Sequence, residues 1–182
     1  MAEAFSNKLT RAAGIVTTSS SGSVGITTTI ITGISTVGVA VSDLVDNANF
    51  IAGTKVTGYG DAASQVVVDQ TSTNTAAVSG SAVVNFLGMT TAYTSAAATK
   101  SILIGGTFAN NTTSSVNLTV EIHDASAGIQ AALASKIPVP TGSSFVISEA
   151  GKTILEATDE VRVFCDTANA IDVNLSILTG VS

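Results

Sequence analysis

The sequence predicts an all-β protein on three observations. Short runs rich in Val, Ile and Thr recur along the chain, separated by Gly, Asn and Asp. Two segments alternate apolar and polar residues with the period of a strand, and no long helical pattern is present. The chain carries 26 Thr and 22 Ser against 20 charged residues in a length of 182. Because small hydroxyl-bearing and β-branched side chains suit pleated strands, composition and periodicity indicate the same class.

We expect three parts along the chain: an N-terminal arm or linker at residues 1–23, a small β module with its connector at residues 24–97, and an antiparallel β-sandwich at residues 98–182. Residues 1–13 have weak helical spacing, and the segment is too short to form a stable isolated helix. Residues 17–23 are a run of Thr, Ser and Gly, which is typical of a flexible linker.

The small module is expected to be a barrel or sandwich of short strands. Its predicted strands cover residues 24–31, 37–41, 55–57, 65–69 and 82–87. Gly- and Asn-containing turns separate them. Residues 89–99 have no clear pattern and are predicted to be a connector, which places the domain boundary near Ala97.

The second half has the clearest strand patterns. Apolar residues alternate with polar ones at Val116, Leu118, Val120 and Ile122, and again at Ile171, Val173, Leu175 and Ile177. Further strands are predicted at residues 101–108, 144–148, 153–156 and 160–165, and a helical turn or irregular loop at 127–134. About eight short antiparallel strands indicate a β-sandwich, of which a jelly roll is one form.

Charge and hydrophobicity argue against nucleic acid and membranes as partners. The net charge of −6 disfavours nucleic acid, because phosphate binding needs clustered Lys and Arg. No stretch approaches 18 uninterrupted apolar residues, so no membrane helix is expected, and the first ten residues lack the apolar region of a signal peptide.

Charged residues make up 11% of the chain, against about 25% in typical domains. We therefore expect partners to cover much of the surface.

Few residues are suited to acid–base or metal chemistry, and no catalytic, cofactor or metal residue is assigned. His123 and Asp124 form the only place where a His-based site could begin, but His123 falls on the polar face of its predicted strand and is interpreted as an exposed structural residue. Cys165 lies beside Val163 and Phe164, which indicates a buried structural thiol.

Three further motifs have simple interpretations. Residues 58–63 match a loose dinucleotide-binding pattern, but a strand is predicted next where that fold needs a helix, so a β-turn is expected. Asp and Asn residues at 43–49 gather oxygen ligands without the spacing of a calcium loop, which favours turn formation over a structural cation. Asp159, Glu160 and Asp166 lie at strand ends, where they would form an acidic rim or a solvated edge. The glycosylation sequons at Asn110, Asn111, Asn117 and Asn174 are interpreted as ordinary strand and turn residues.

Three segments resemble small virion structural proteins of marine cyanobacterial tailed phages. They are the opening residues 1–16, the Val-Asp-Asn-Ala-Asn-Phe-Ile-Ala-Gly-Thr-Lys-Val segment at 45–56 with residues 68–75, and the ending at 172–182. The C-terminal half also resembles the β-sandwich modules of phage decoration and tail proteins, and the segment around residues 49–56 is similar to small β modules in fibre and baseplate proteins.

The resemblance implies a non-enzymatic virion protein without a cofactor, assembled in the cytoplasm of a bacterial host. A capsid decoration or cement protein is the first hypothesis, with the major capsid protein as partner and the residue 14–31 segment available for strand addition. A neck, tail or fibre adaptor is the alternative. A homo-oligomer is expected, and by analogy a trimer. A carbohydrate-binding module is the third hypothesis. It is weakened because Trp is absent and Tyr59 and Tyr93 are the only tyrosines that could stack on a sugar ring.

Overall fold

The described part of the chain consists of strands joined by turns, bends and short irregular segments. The computed structural model describes residues 3–148 and 152–181, and no helix occurs among them, which confirms the all-β class. The chain divides into two compact units. The first unit contains Met1–Gly14 together with Thr90–Ser182, and the second unit is the intervening Ile15–Met89. The second unit is thus an insertion in the sequence of the first.

The first unit is a sandwich of two antiparallel sheets. With strands numbered along the whole chain, its elements are β1 (Ala4–Ala13), β8 (Thr90–Thr94), β9 (Lys100–Asn110), β10 (Val116–Asp124), β11 (Ile129–Val139), β12 (Ser144–Ile147), β13 (Thr153–Leu155), β14 (Glu160–Cys165) and β15 (Ile171–Val181). The first sheet has the order β1-β15-β9-β12, with β13 also paired to β9, and the second sheet has the order β11-β10-β14-β8.

These two orders are those of a jelly roll. Counted as eight positions along the chain, with β12 and β13 sharing one, the first sheet reads 1-8-3-6 and the second reads 2-7-4-5. Eight strands folded into two such sheets are the arrangement that defines the jelly roll. The expected β-sandwich is therefore confirmed in its jelly-roll form.

The core of the first unit lies between the inner faces of the two sheets. The alternation predicted for β15 is confirmed, because Ile171, Val173, Leu175 and Ile177 are all buried. In β10, Val116, Leu118 and Val120 are also fully buried. Phe108 of β9 packs its ring 6.0 Å from that of Phe145 in β12. Leu103, Leu155, Val161 and Val163 complete this cluster from the neighbouring strands.

The predicted N-terminal arm is wrong for residues 4–13, which form an edge strand of the first sheet. β1 pairs antiparallel with β15, from Ala4 opposite Thr179 to Ala13 opposite Ile171. Gly14 ends the strand at φ +121°, where an added Cβ would lie 2.4 Å from the Thr167 carbonyl oxygen. Only glycine fits this conformation and close approach, so the chain leaves the jelly roll at a fixed point.

The second unit is a single six-stranded antiparallel sheet around its own core. Its strands are β2 (Ile15–Val24), β3 (Ile30–Thr32), β4 (Leu44–Asp46), β5 (Val56–Tyr59), β6 (Gln65–Val68) and β7 (Val78–Gly88), in the order β4-β7-β2-β3-β6-β5. The two outermost strands approach each other through a bridge between Leu44 and Lys55, so the sheet is strongly curled, although it is not closed into a barrel. Phe86, Ile31 and Val84 are fully buried inside it.

The linker predicted at residues 17–23 and the free segment at 14–31 are also corrected. Residues 15–24 are strand β2, which pairs with β7 between Ile15 and Val24 and with β3 only at Ser23 and Val24. A segment already paired in its own sheet is not a free strand that can add to the sheet of a partner. Ser19 is 5% exposed, whereas Thr18, Ser20 and Ser21 are exposed. The strand predicted at residues 24–31 is interrupted by a turn at 26–27 between β2 and β3.

Two other segments differ from expectation. Residues 90–94 are strand β8, which pairs with β14, so the division between units falls before Thr90 instead of near Ala97. Residues 129–139 are strand β11, where a helical turn or loop was expected at 127–134. The alanines of that segment favour helix locally, but eight backbone pairings with β10 outweigh so weak a preference.

Candidate functional site

His123 and Asp124 are held in different contacts. Asp124 Oδ1 accepts hydrogen bonds from the Ala127 N–H at 2.9 Å, from the Ser126 hydroxyl at 2.7 Å and from the Ser126 N–H at 2.9 Å, and these bonds lower the pKa of the carboxyl group. The His123 Nδ1 atom lies 4.0 Å from Glu160 Oε2 on the neighbouring strand. Adjacent side chains of a strand point to opposite faces, which accounts for the separation. Asp124 therefore organises a turn, while His123 lies beside Glu160 without a hydrogen bond from Nδ1 to any described residue.

His123 belongs to a charged cluster on the outer face of the second sheet. Its side chain is 18% exposed, so the expectation of an exposed histidine is wrong. Arg162 Nε donates to Glu160 Oε2 at 2.7 Å, and Glu121 lies opposite Arg162 in the ladder. Glu121 and Arg162 are 5% and 9% exposed. Charges buried to this degree need partners of opposite sign, which the alternation of Glu and Arg supplies.

The acidic residues at the ends of β14 do not form a continuous rim. Asp159 is 4% exposed, and its two carboxylate oxygens accept from the backbone N–H groups of Ala125 and Glu156. Asp166, at the opposite end of the strand, accepts from the side chain and backbone N–H of Asn117. Both carboxylates fix turns between strands, and neither forms the solvated edge expected from the sequence.

Residues 43–49 serve the turn chemistry that the sequence favours. Asp43 is buried, and its Oδ2 accepts the Ala40 N–H at 2.8 Å. Burial raises the pKa of this carboxyl group against the lowering effect of that hydrogen bond. Asn47 Oδ1 accepts the Asn49 N–H at 2.9 Å, which closes a second local turn.

The Gly-containing segment at residues 58–63 joins two antiparallel strands. It begins in β5, leads through a bend and a turn, and continues into β6 at Gln65. A strand therefore follows where a dinucleotide site would need a helix N-terminus. The turn predicted from the sequence is confirmed.

Cys165 is a buried free thiol, as predicted. It lies in the jelly-roll core, where burial is the main cause that raises its pKa to about 11. Of the sequon residues, Asn110 is 6% exposed and its side-chain amide donates to the carbonyl oxygens of Ser114 and Val139. Asn117 is bound to Asp166. These residues have structural roles in turns and strand ends.

Residues 36–43 form an exposed feature that the sequence pattern misassigned, and we name it the double-turn loop. Two successive turns are closed by hydrogen bonds from Val39 N–H to the Thr36 carbonyl and from Asp43 N–H to the Ala40 carbonyl, both at 3.2 Å. Gly38 and Ser42 follow the turn tips with φ of 81° and 76°. The tips themselves are Val37 and Val41, which are 82% and 55% exposed.

The double-turn loop is held firmly from three sides. The Tyr59 hydroxyl donates to the Val39 carbonyl at 2.5 Å, and Thr17 Oγ1 donates to the Gly38 carbonyl at 3.2 Å. The Ser42 N–H donates to the Val56 carbonyl at 2.8 Å. Val39, between the tips, is buried in the core of the second unit. The loop thus presents two valines to solvent without depending on them for its own structure.

The valines at 37, 39 and 41 explain why a strand was predicted there. Their alternation fits a period of two, but only Val39 points inward. Gly38, with its positive φ, and the polar pair Ser42–Asp43 are the sequence features that could have indicated turns.

Among residues 3–148 and 152–181, no cluster of three or more His, Cys, Asp or Glu side chains is placed to hold a metal ion. A helix long and apolar enough to span a membrane is not found there either. Comparison with protein-family models, curated proteins and solved structures gave no match.

Proposed function

We propose that the chain is a non-enzymatic structural protein of a tailed-phage virion, that it decorates the capsid, and that the double-turn loop docks on the shell. The observation that carries the docking part of this proposal is the rigid presentation of two exposed valines, Val37 and Val41. A preorganised apolar tip loses little conformational entropy on binding, so it favours contact with a protein surface.

The composition supports a protein whose surface is covered in an assembly. Charged residues make up only 11% of the chain, and large apolar side chains are exposed on both units. Isolated soluble domains usually avoid such surfaces because they promote association. For a component packed among other virion proteins, association with its neighbours through such surfaces is the function.

The assignment to a virion rests on the sequence resemblance of residues 1–16, 45–56, 68–75 and 172–182 to structural proteins of cyanobacterial tailed phages. The jelly roll is compatible with it, since this fold recurs in viral shells, although lectins and enzymes also use it. A place in the neck, tail or a fibre is the alternative within the same class.

Copy number in purified particles tests the location. Quantitative mass spectrometry of virions from the phage that encodes the chain should find hundreds of copies per particle. A few copies would move the protein to the neck, tail or a fibre. Absence from particles would overturn the proposal.

A substitution at the loop tests the docking surface. The double substitution Val37→Asp/Val41→Asp should reduce cosedimentation with particles lacking the chain by at least about tenfold, because two carboxylates would be desolvated at the contact. Val83→Asp is the matched control, since Val83 is 53% exposed on β7 of the same unit. Equal loss in both variants, or binding unchanged by the double substitution, would contradict a role for the double-turn loop.

A further inference from the structure

The outer face of the first sheet carries an apolar row across its whole width. Phe5 of β1 lies opposite Leu178 of β15, Leu178 lies opposite Ile102 of β9, and Ile102 lies opposite Ile154 of β13. Phe5 and Ile154, at the two ends, are 76% and 62% exposed. Cross-strand neighbours on one face stand about 5 Å apart, so the four side chains form a continuous band.

A second row runs parallel to this band and is apolar at both ends. Leu9 of β1 is opposite Asn174, which is followed by Thr107 of β9 and Val146 of β12. Leu9 is 72% exposed and Val146 57%. Between the two rows the side chains are short, including Ser176 and Gly105, and shallow depressions of about 330 Å³ lie on either side of Thr107.

The face is large enough for a stable contact. Its strands are 10 or 11 residues long in β1, β9 and β15. Three strands with about 4.8 Å between neighbours and a rise of about 3.3 Å per residue cover roughly 14 Å by 33 Å. The shorter strands β12 and β13, of 4 and 3 residues, add a partial fourth column. With its projecting side chains, such a face approaches the roughly 800 Å² per partner that standard interfaces bury. Exposed apolar side chains grouped on one face of a domain are usually functional.

The charges on this face favour a second copy of the same chain. At one end, Lys100 Nζ lies 2.9 Å from Glu156 Oε1. At the other end, Arg11 and Asp172 both border one of the two depressions beside Thr107. Each end thus holds one positive and one negative group, so two identical faces meet without net repulsion, whereas a strongly charged partner would find nothing to pair with.

We propose that the outer face of the first sheet packs against the same face of a second copy, related by a two-fold axis that lies along the strands. This axis places apolar row against apolar row, with Phe5 of one copy near Ile154 of the other. Two sheets packed face to face in this way lie about 10 Å apart and cross at about 30°. An isologous contact of this type produces a closed dimer. The inference is independent of the proposed virion role, because it concerns the purified chain alone.

Sedimentation equilibrium of the purified full chain tests the dimer. The wild type should form a dimer in the micromolar range, and Leu9→Asp and Phe5→Asp should each weaken it by at least about tenfold, since a carboxylate would be buried without a partner. Ile129→Asp is the matched control, because Ile129 is 62% exposed on the other sheet.

Circular dichroism and the thermal midpoint should show that each variant keeps its fold. If Leu9→Asp fails to fold, Leu9→Ser and Phe5→Ser give the same test with a smaller perturbation. A wild type that remains monomeric at 200 µM (about the upper limit for a specific weak contact) would overturn the proposal. A trimer, or a dimer that Ile129→Asp weakens as much as Leu9→Asp, would overturn it as well.

Discussion

The outer faces of the two jelly-roll sheets have the same strand geometry but differ in how far their outward-pointing side chains are exposed. On the second sheet, Arg162, Glu121 and Phe164 point away from the core yet are at most 9% exposed, so the central part of that face is covered, although β11 at its edge is largely exposed. On the first sheet, Phe5 and Leu9 also point away from the core and are more than 70% exposed. The second sheet thus buries the Arg162–Glu160 ion pair on its outer side, whereas the first sheet exposes apolar side chains between the charged groups at its two ends.

This difference shows that outward position does not determine solvent exposure. Alternation along a strand separates the two faces, but what lies above each face decides which side chains it needs. The covered face requires paired charges because burial without partners is costly. The open face carries apolar and short side chains, which is the composition expected of a surface that a partner covers.

Removing β1 should have the largest effect, because this strand carries half of the exposed apolar positions on the open face and also closes its sheet. Deletion of residues 1–13 exposes the edge of β15 and the buried side chains near Ile171. We expect the thermal midpoint to fall by more than about 10 °C, or the protein to become insoluble. Differential scanning calorimetry measures the change. An unchanged midpoint would show that β1 is a dispensable arm.

Phe108→Ala compares the shared core with the open face. Phe108 is fully buried in β9, so its truncation should cost about 3–5 kcal/mol of unfolding free energy. Phe5→Ala, on the outer side of the same sheet, should cost the monomer less than about 1 kcal/mol. Urea denaturation at low protein concentration measures both values. Similar losses would contradict the assignment of Phe5 to an open surface.

Arg162→Met tests the covered face. The substitution keeps the volume of the side-chain stem but leaves Glu160, and the buried Glu121 opposite it, without the guanidinium charge. We expect a loss of about 2 kcal/mol in unfolding free energy, below the full cost of an unpaired buried charge because Glu160 is partly exposed. Chemical denaturation at pH 7 provides the measurement. An unchanged free energy of unfolding would contradict the role of the guanidinium group as the charge partner on this face.

The thiol of Cys165 should give the smallest effect at neutral pH. Its pKa is raised from 9.0 to about 11, so folding is favoured fully below pH 9 and loses this contribution as pH rises through 11. The native protein should therefore react negligibly with a thiol reagent at pH 8 and fully after unfolding in urea. Rapid labelling of the native state would show that the region between the two faces opens readily.

Strands whose apolar residues point into the core were predicted correctly, whereas a strand whose large apolar residues point outward was missed. β10 and β15 were predicted correctly because their inward positions are Val, Leu and Ile. β1 was missed because its exposed outward positions include Phe5 and Leu9, while Ser6 and Lys8 alternate with them. A spacing of four residues fits one side of a helix as well as one face of a strand, so the pattern was ambiguous.

The candidate surfaces were harder to predict than the strands. Thr, Ser and Gly at residues 17–23 form a strand because backbone pairing with β7, and with β3 at Ser23, determines their conformation, which composition does not show. The double-turn loop depends on positive φ at Gly38 and Ser42 and on a hydrogen bond from Tyr59, a residue distant in sequence. The open face arises from register across four strands, and register is fixed only when the sheet forms.

Hydroxyl-radical footprinting of the wild-type chain at low and high concentration measures the contrast between the faces most directly. At high concentration, Phe5, Leu9 and Ile154 should lose most of their reactivity because the second copy covers them, while Ile129 and Val83 should react equally at both concentrations. Phe164, covered by the chain itself, should be protected at both. Reactivity of Phe5 and Leu9 that does not change between 1 µM and 200 µM (about the range in which a micromolar dimer forms) would contradict the conclusion that the open face is an interface between copies.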